Sequence, residues 1–255
     1  MAPSPSMVRE RNLILASLLA AAAAAWALVG WQSRAMGSHA MGLTMGLGAP
    51  LFLAVWLAMM VAMMFPSAAP MVLIFARIAA GKKRRGQPFV PVWVFVAGYV
   101  AVWGLAGLPV YAVAAGAERL AQHAAWLMAY AARLGGAAVL AAGLYQLSPL
   151  KRACLSKCRT PMQFVLTSWH DGTAGAFRMG LEHGLFCLGC CWAMMLLLLV
   201  VGVMSLPWMA LLALAVYCEK NGPFLTLVGP ALALVLVAGG VTLIVFPGMV
   251  QQIAL

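Results

Sequence analysis

Acidic side chains are nearly missing: the chain of 255 residues holds five Asp and Glu in all, and charged residues of every kind make up 8% of it while hydrophobic residues make up 65%. So few polar groups cannot cover a water-soluble globule of this size, and several apolar runs reach roughly 20 residues, the length of a membrane span. The shortage of carboxylates also argues against Mg, Ca or Mn, which take oxygen ligands. A GxxxxGK[ST] motif is absent, which argues against ATP-driven transport by this chain alone. Histidine is scarce as well, with four in the chain. His183 has no second histidine deep in an apolar run beside it, which weakens a haem site with axial ligands from His183 and a methionine.

What charge there is leans basic, to a formal net of +11. In a soluble protein that would suggest nucleic acid; here topology accounts for it, and no nucleic-acid partner is expected. Spans read at roughly 13–31, 51–75, 90–115, 134–150, 181–205, 208–220 and 224–246. One set of alternate loops then receives Arg9, Arg11, Arg77, Lys82, Lys83, Arg84, Arg85, Lys151, Arg152, Lys157, Arg159, Arg178 and Lys220. The other receives Arg34, Arg119 and Arg133. The positive-inside rule therefore puts the N-terminus in the cytoplasm. The run from Leu13 to Trp31 is too long and continuous for a signal peptide and is kept as a span. The run between Pro207 and Glu219 is short for a full crossing, so the expectation is an all-α, polytopic transmembrane bundle of six or seven spans, one integral membrane domain over residues 1–255.

Sulfur is what this chain has in quantity, with 18 Met and six Cys. The segment HGLFCLGCCWAMM, residues 183–195, concentrates it. On a helix turning about 100° per residue, His183, Cys187, Cys190 and Met194 fall in a strip about 60° wide. Cys191 and Met195 flank the strip and Trp192 lies on the far side, while Gly184 and Gly189 thin the helix for a close neighbour. In the second span, Met59 and Met63, like Met60 and Met64, stack one turn apart ahead of Pro66 and Pro70, where Ser67 is available to satisfy a freed backbone group. Taken alone these methionines read as adaptable apolar filler; facing a second sulfur-rich helix they read as one wall of a metal path. Thiolate, thioether and imidazole together point to Cu(I) first and zinc second.

Three further places carry possible secondary ligands. His39, Met41 and Met45 lie in a Gly-rich external loop, which reads either as a flexible linker or as a copper-collecting segment. Cys154 and Cys158 lie four apart in a basic cytoplasmic loop, where neighbouring cations favour thiolate, and read either as idle thiols or as a docking point for a soft metal. Glu182 and Glu219 are candidates to orient the His183 imidazole from behind.

The segments AMMFPSAAPM at 62–71, GYVAVW at 98–103, GLYQLSPLKRACLSKCRTP at 143–161 and GLEHGLFCLGCCWAMM at 180–195, with the Glu219-Lys220 pair, resemble a family of bacterial integral membrane proteins described as predicted metal-binding, a domain of unknown function. The resemblance implies a multi-pass protein of the bacterial inner membrane that binds metal, with His183, Cys187, Cys190, Cys191 and the methionine pairs at motif positions. It implies no activity, and copper rests on ligand softness alone. The expectation is a Cu(I)-handling membrane protein, more a transporter, metallochaperone or assembly factor than an enzyme, with the lipid bilayer and a cuproenzyme or soluble copper chaperone as partners. Its rivals are a thiol–disulfide oxidoreductase built on Cys187-Leu-Gly-Cys190 and exchanging electrons with quinone or a protein, and the haem site above.

Overall fold

The computed structural model describes residues 5–36, 42–87, 90–202, 205–222 and 225–247. Among the described residues the chain is all-helical: α1 (Pro5–Met36), α2 (Ala49–Arg84), α3 (Val92–His123), α4 (Ala125–Gln146), α5 (Pro149–Arg159), α6 (Pro161–Thr167), α7 (Gly172–Val201), α8 (Leu206–Asn221) and α9 (Leu225–Val245). Five of the described stretches, Met7–Ala35, Ala49–Arg84, Val92–His123, Gly172–Val200 and Leu227–Val245, are long and apolar enough to cross a membrane.

Several boundaries differ from the expected ones, each for a local reason. The connector expected over 116–133 is helical: α3 continues to His123 and α4 begins at Ala125. Glu118, on that extension, binds the backbone N–H of Thr44 at 2.7 Å and its hydroxyl at 2.6 Å, so the loop before α2 is tied to the end of α3. The span expected over 134–150 ends early, at Gln146, because Ser148 caps α5 by accepting from Lys151 N at 3.1 Å and Pro149 opens the new helix. At 16 residues α8 spans about 24 Å, short of a hydrocarbon core of about 30 Å.

Pro66 and Pro70 do not end α2, which runs on through both. Pro66 has no N–H for the Ala62 carbonyl one turn earlier, and the indole of Trp26 on α1 donates to that oxygen at 3.1 Å. Ser67 donates to Met64 O at 3.0 Å, and its own carbonyl accepts from Asn221 Nδ2 at 3.1 Å, which ties α2 to α8.

α3 and α7 meet backbone to backbone. A Cβ on Gly98 would collide with the Phe177 carbonyl oxygen, and one on Gly180 with the Phe95 carbonyl oxygen. Gly184 continues the seam against Val102 and the Tyr99 carbonyl. α4 and α9 meet in the same way, through Gly136, Gly143 and Gly240. The outward faces are apolar: in α9 only 11% of the span is buried, with Leu234 and Val235 exposed, as suits a helix surrounded by lipid.

Gly180→Val must push α3 off α7 and should cost about 3 kcal/mol or more. A thermal unfolding midpoint of the detergent-purified variant equal to that of the parent would refute the close seam.

Candidate metal centre

The sulfur strip of α7 faces inward. Cys187, Cys190, Cys191, Met194 and Met195 are all buried, while Trp192 on the opposite side is half-exposed. The four methionines of α2, Met59, Met60, Met63 and Met64, are fully buried in the same core. Met64 carries the contact between the two helices, with its Sδ 4.0 Å from Cys191 Sγ.

Cys158 reaches this strip from α5. The amphipathic face of α5 turns Leu155, Cys158 and Lys151 inward, and Cys158 Sγ lies 4.0 Å from Cys190 Sγ. Cys154, one turn earlier on α5, rests against Gly189, where a Cβ would crowd its sulfur, and Tyr145 Oη donates to the Gly189 carbonyl at 2.5 Å. Of the two cysteines that read from sequence either as idle thiols or as a docking point, Cys158 therefore meets the helix strip and Cys154 packs on α7 to one side of it. The expected activation of these two thiols by basic neighbours is reversed. Burial and the adjacent Cys190 push the Cys154 thiol up, and hydrogen bonding toward Cys187 and Cys190, with burial, pushes Cys158 well above the usual range. Arg152 and Lys157 are exposed, and Lys151 turns to a different partner.

That partner is Glu219. Lys151 Nζ donates to both carboxylate oxygens at 2.8 Å and to Gln146 Oε1, and Gln146 Nε2 returns to Glu219 Oε1 at 3.2 Å. Gln146 Nε2 also points at Met194 Sδ, 3.8 Å away. Glu219 is thus committed to a buried ion pair and does not orient His183. Glu182 does not either: it pairs with Arg178 at 3.0 Å on the outside of α7.

His183 is 3% exposed, and neither ring nitrogen has a hydrogen-bond partner among the described residues. Aromatic rings enclose it, Tyr99 with centroids at 5.4 Å, Phe164 at 5.6 Å and Phe95 at 5.9 Å. The stack runs on from Phe95 to Phe75 and Trp169, whose indole donates to Asp171 at 2.8 Å beside Lys82. Hydrogen bonds from Lys82 and Trp169 hold the exposed Asp171 carboxyl below its ordinary range. One helical turn beyond His183, Cys187 Sγ sits 3.1 Å from Tyr99 Oη and 2.9 Å from Lys220 Nζ.

Lys220, Lys151, Tyr99 and Gln146 were not singled out as site residues from sequence. The usable signal was the Glu219-Lys220 pair: neighbours on a helix point about 100° apart, so each needs its own partner.

All six cysteines are free, and the Cys190 and Cys191 thiols donate to the Cys187 carbonyl at 3.1 and 2.9 Å. Among the described residues no three His, Cys, Asp or Glu side chains stand close enough together to hold a metal ion. The sulfurs come in pairs instead. Metal–thiolate bonds run about 2.3 Å for zinc, so the 4.0 Å between Cys158 and Cys190 is short enough for both to reach one ion. Met45, from the loop before α2, is buried with a left-handed backbone (φ 58°), a conformation uncommon outside Gly and Asn. His39 and Met41 lie outside the described residues.

Residues 53–243, which contain every buried sulfur of this centre, match the PpoB2 family model, described as copper chaperone. The chain belongs to the PpoB2 copper chaperone family. This agrees with copper as the first choice from ligand softness, and a copper-related role follows. No curated protein and no solved structure matches the chain.

Two outcomes follow from the centre. Glu219→Gln strands the Lys151 ammonium in the core and should destabilise the protein by about 3–5 kcal/mol, whereas Lys151→Met with Glu219→Leu should recover most of that. Thermal unfolding of the single and double variants measures it, and an equal loss in both would contradict the pair. In a variant keeping Cys154 as its one cysteine, maleimide labelling should be slow at neutral pH. Its rate should keep rising above the ordinary thiol pKa of about 8.5, because burial, the larger cause, still raises the Cys154 pKa once Cys190 is gone.

Proposed function

We propose that this chaperone is an integral protein of the bacterial inner membrane, N-terminus in the cytoplasm, that holds Cu(I) among the sulfur atoms of α2, α5 and α7 and passes it to a membrane-bound cuproenzyme. The observation that carries the reading is His183, an imidazole sealed in the core with both ring nitrogens unpartnered among the described residues, one turn from Cys187 and two from Cys190 and Cys191 on α7. An unpartnered buried imidazole costs stability and calls for a ligand or a task. Copper is the cargo here, and the chain's own residues do the handling. Cys158 and Cys190 offer paired sulfurs, Cys187 stands one turn along α7 on the same face as Cys190, and Met64 supplies a thioether beside Cys191. Thiolate, thioether and imidazole favour Cu(I), and the family description points the same way. The rings of Phe95, Tyr99 and Phe164 keep water from the imidazole.

Handing the ion on requires binding through a few soft ligands that a partner's own ligands can replace in turn. Separate sulfur pairs suit such exchange better than a closed four-ligand cage. Zinc is the secondary cargo on this chemistry, since thioethers are poor zinc ligands.

Purified protein titrated with Cu(I) against a chromophoric chelator should take up copper tightly, and Cys187→Ser with Cys190→Ser should abolish uptake. Unchanged copper stoichiometry in the double variant would overturn the reading.

A further inference from the structure

All five Asp and Glu side chains lie within the described residues, and four have identified partners. Glu118 binds Thr44, Asp171 binds Lys82, Glu182 binds Arg178, and Glu219 gives both oxygens to Lys151. Glu10 is exposed on α1. Lys220 is buried like its neighbour Glu219, yet among the described residues no carboxylate stands within ion-pair distance of its ammonium. Its Nζ lies instead 2.9 Å from Cys187 Sγ, and Cys190, Cys191 and Cys158 are within electrostatic reach. Lys151 and Glu219 neutralise each other, so among the described residues the core holds one further positive charge, aimed at the sulfur cluster.

A buried charge has to be matched. A Cu(I) ion bound by two cysteine sulfurs that have each lost their proton forms a unit of net charge −1, which one ammonium neutralises. A divalent ion on the same two thiolates forms a neutral unit and leaves the ammonium unmatched.

We infer that Lys220 is a specificity-determining residue of the copper site: its fixed positive charge favours a monovalent ion on the cysteine pair over a divalent one. The inference rests on the Cu(I)-binding reading above. Lys220 need not touch the ion. It acts through charge, from the end of α8, on whatever Cys187 and its neighbours hold, and it separates Cu(I) from Zn(II) where ligand softness alone separates them less sharply. The bond from Lys220 to Cys187 also places that sulfur, so charge and hydrogen bonding have to be told apart.

Three proteins do so: the parent, Lys220→Gln, which keeps a donor toward Cys187 without the charge, and Lys220→Arg, which keeps the charge. Cu(I) and Zn(II) affinities of each are measured by chelator competition in detergent, at one pH, on protein that elutes as a single folded species. Removing a unit charge a few ångströms from the ion should reduce the Cu(I)-over-Zn(II) preference on the order of a hundredfold in Lys220→Gln. Lys220→Arg should keep most of the parent's preference. An unchanged preference in Lys220→Gln, or an equal loss in Lys220→Arg, overturns the charge role while leaving Cu(I) binding intact. Should Lys220→Gln fail to fold, Lys220→Asn takes its place: the same loss of preference is expected there, and an unchanged preference overturns the inference. A parent protein that binds no Cu(I) overturns the functional reading itself, and this inference with it.

Discussion

The ion pair between Lys151 and Glu219 is the constraint on which the rest of the centre depends. It joins the first turn of α5 to the last turns of α8, and Gln146 at the end of α4 closes the network from a third side. Arg159 at the far end of α5 donates to the Glu219 backbone carbonyl at 2.8 Å, so both ends of α5 are fastened to one residue. Buried ion pairs are weak sources of net stability but strict about geometry. Their contribution here is registry: with α5 held at both ends, Cys158 has one place to go, and that place is beside Cys190.

A second constraint comes from glycine. Where α3 and α7 touch backbone to backbone, Tyr99 and Phe95 are brought against His183 and Cys187. Bulkier residues at Gly98 or Gly180 would move the aromatic wall away and open the imidazole to other partners. The centre is therefore framed by two different forces: close van der Waals packing on the α3 side and charge on the α8 side.

The inward face of α7 was legible in the sequence because helical periodicity is a local property, and His183, Cys187, Cys190 and Met194 needed only a turn angle to align. The all-helical architecture was legible from apolar run length for the same reason. The placement of Cys158 was not, since nothing local says that a basic, polar segment folds back under an apolar helix. Nor were the partners of the acids. Glu182 stands beside His183 in the chain but points to Arg178, and Glu219 pairs with Lys151, 68 positions away. Sequence adjacency on a helix separates side chains, and long-range pairing is decided by tertiary packing, which composition does not encode.

Trp26 gives α1 a meaning beyond that of an anchor. The helix contributes no ligand to the centre, yet its indole N–H occupies the carbonyl that Pro66 leaves open, just ahead of Met63 and Met64. The carbonyl freed within the methionine wall is thus satisfied by a residue 36 positions upstream of it. α1 works as a splint: it satisfies from outside α2 a polar group that the proline would otherwise leave bare in an apolar core, at the turn that carries Met63 and Met64.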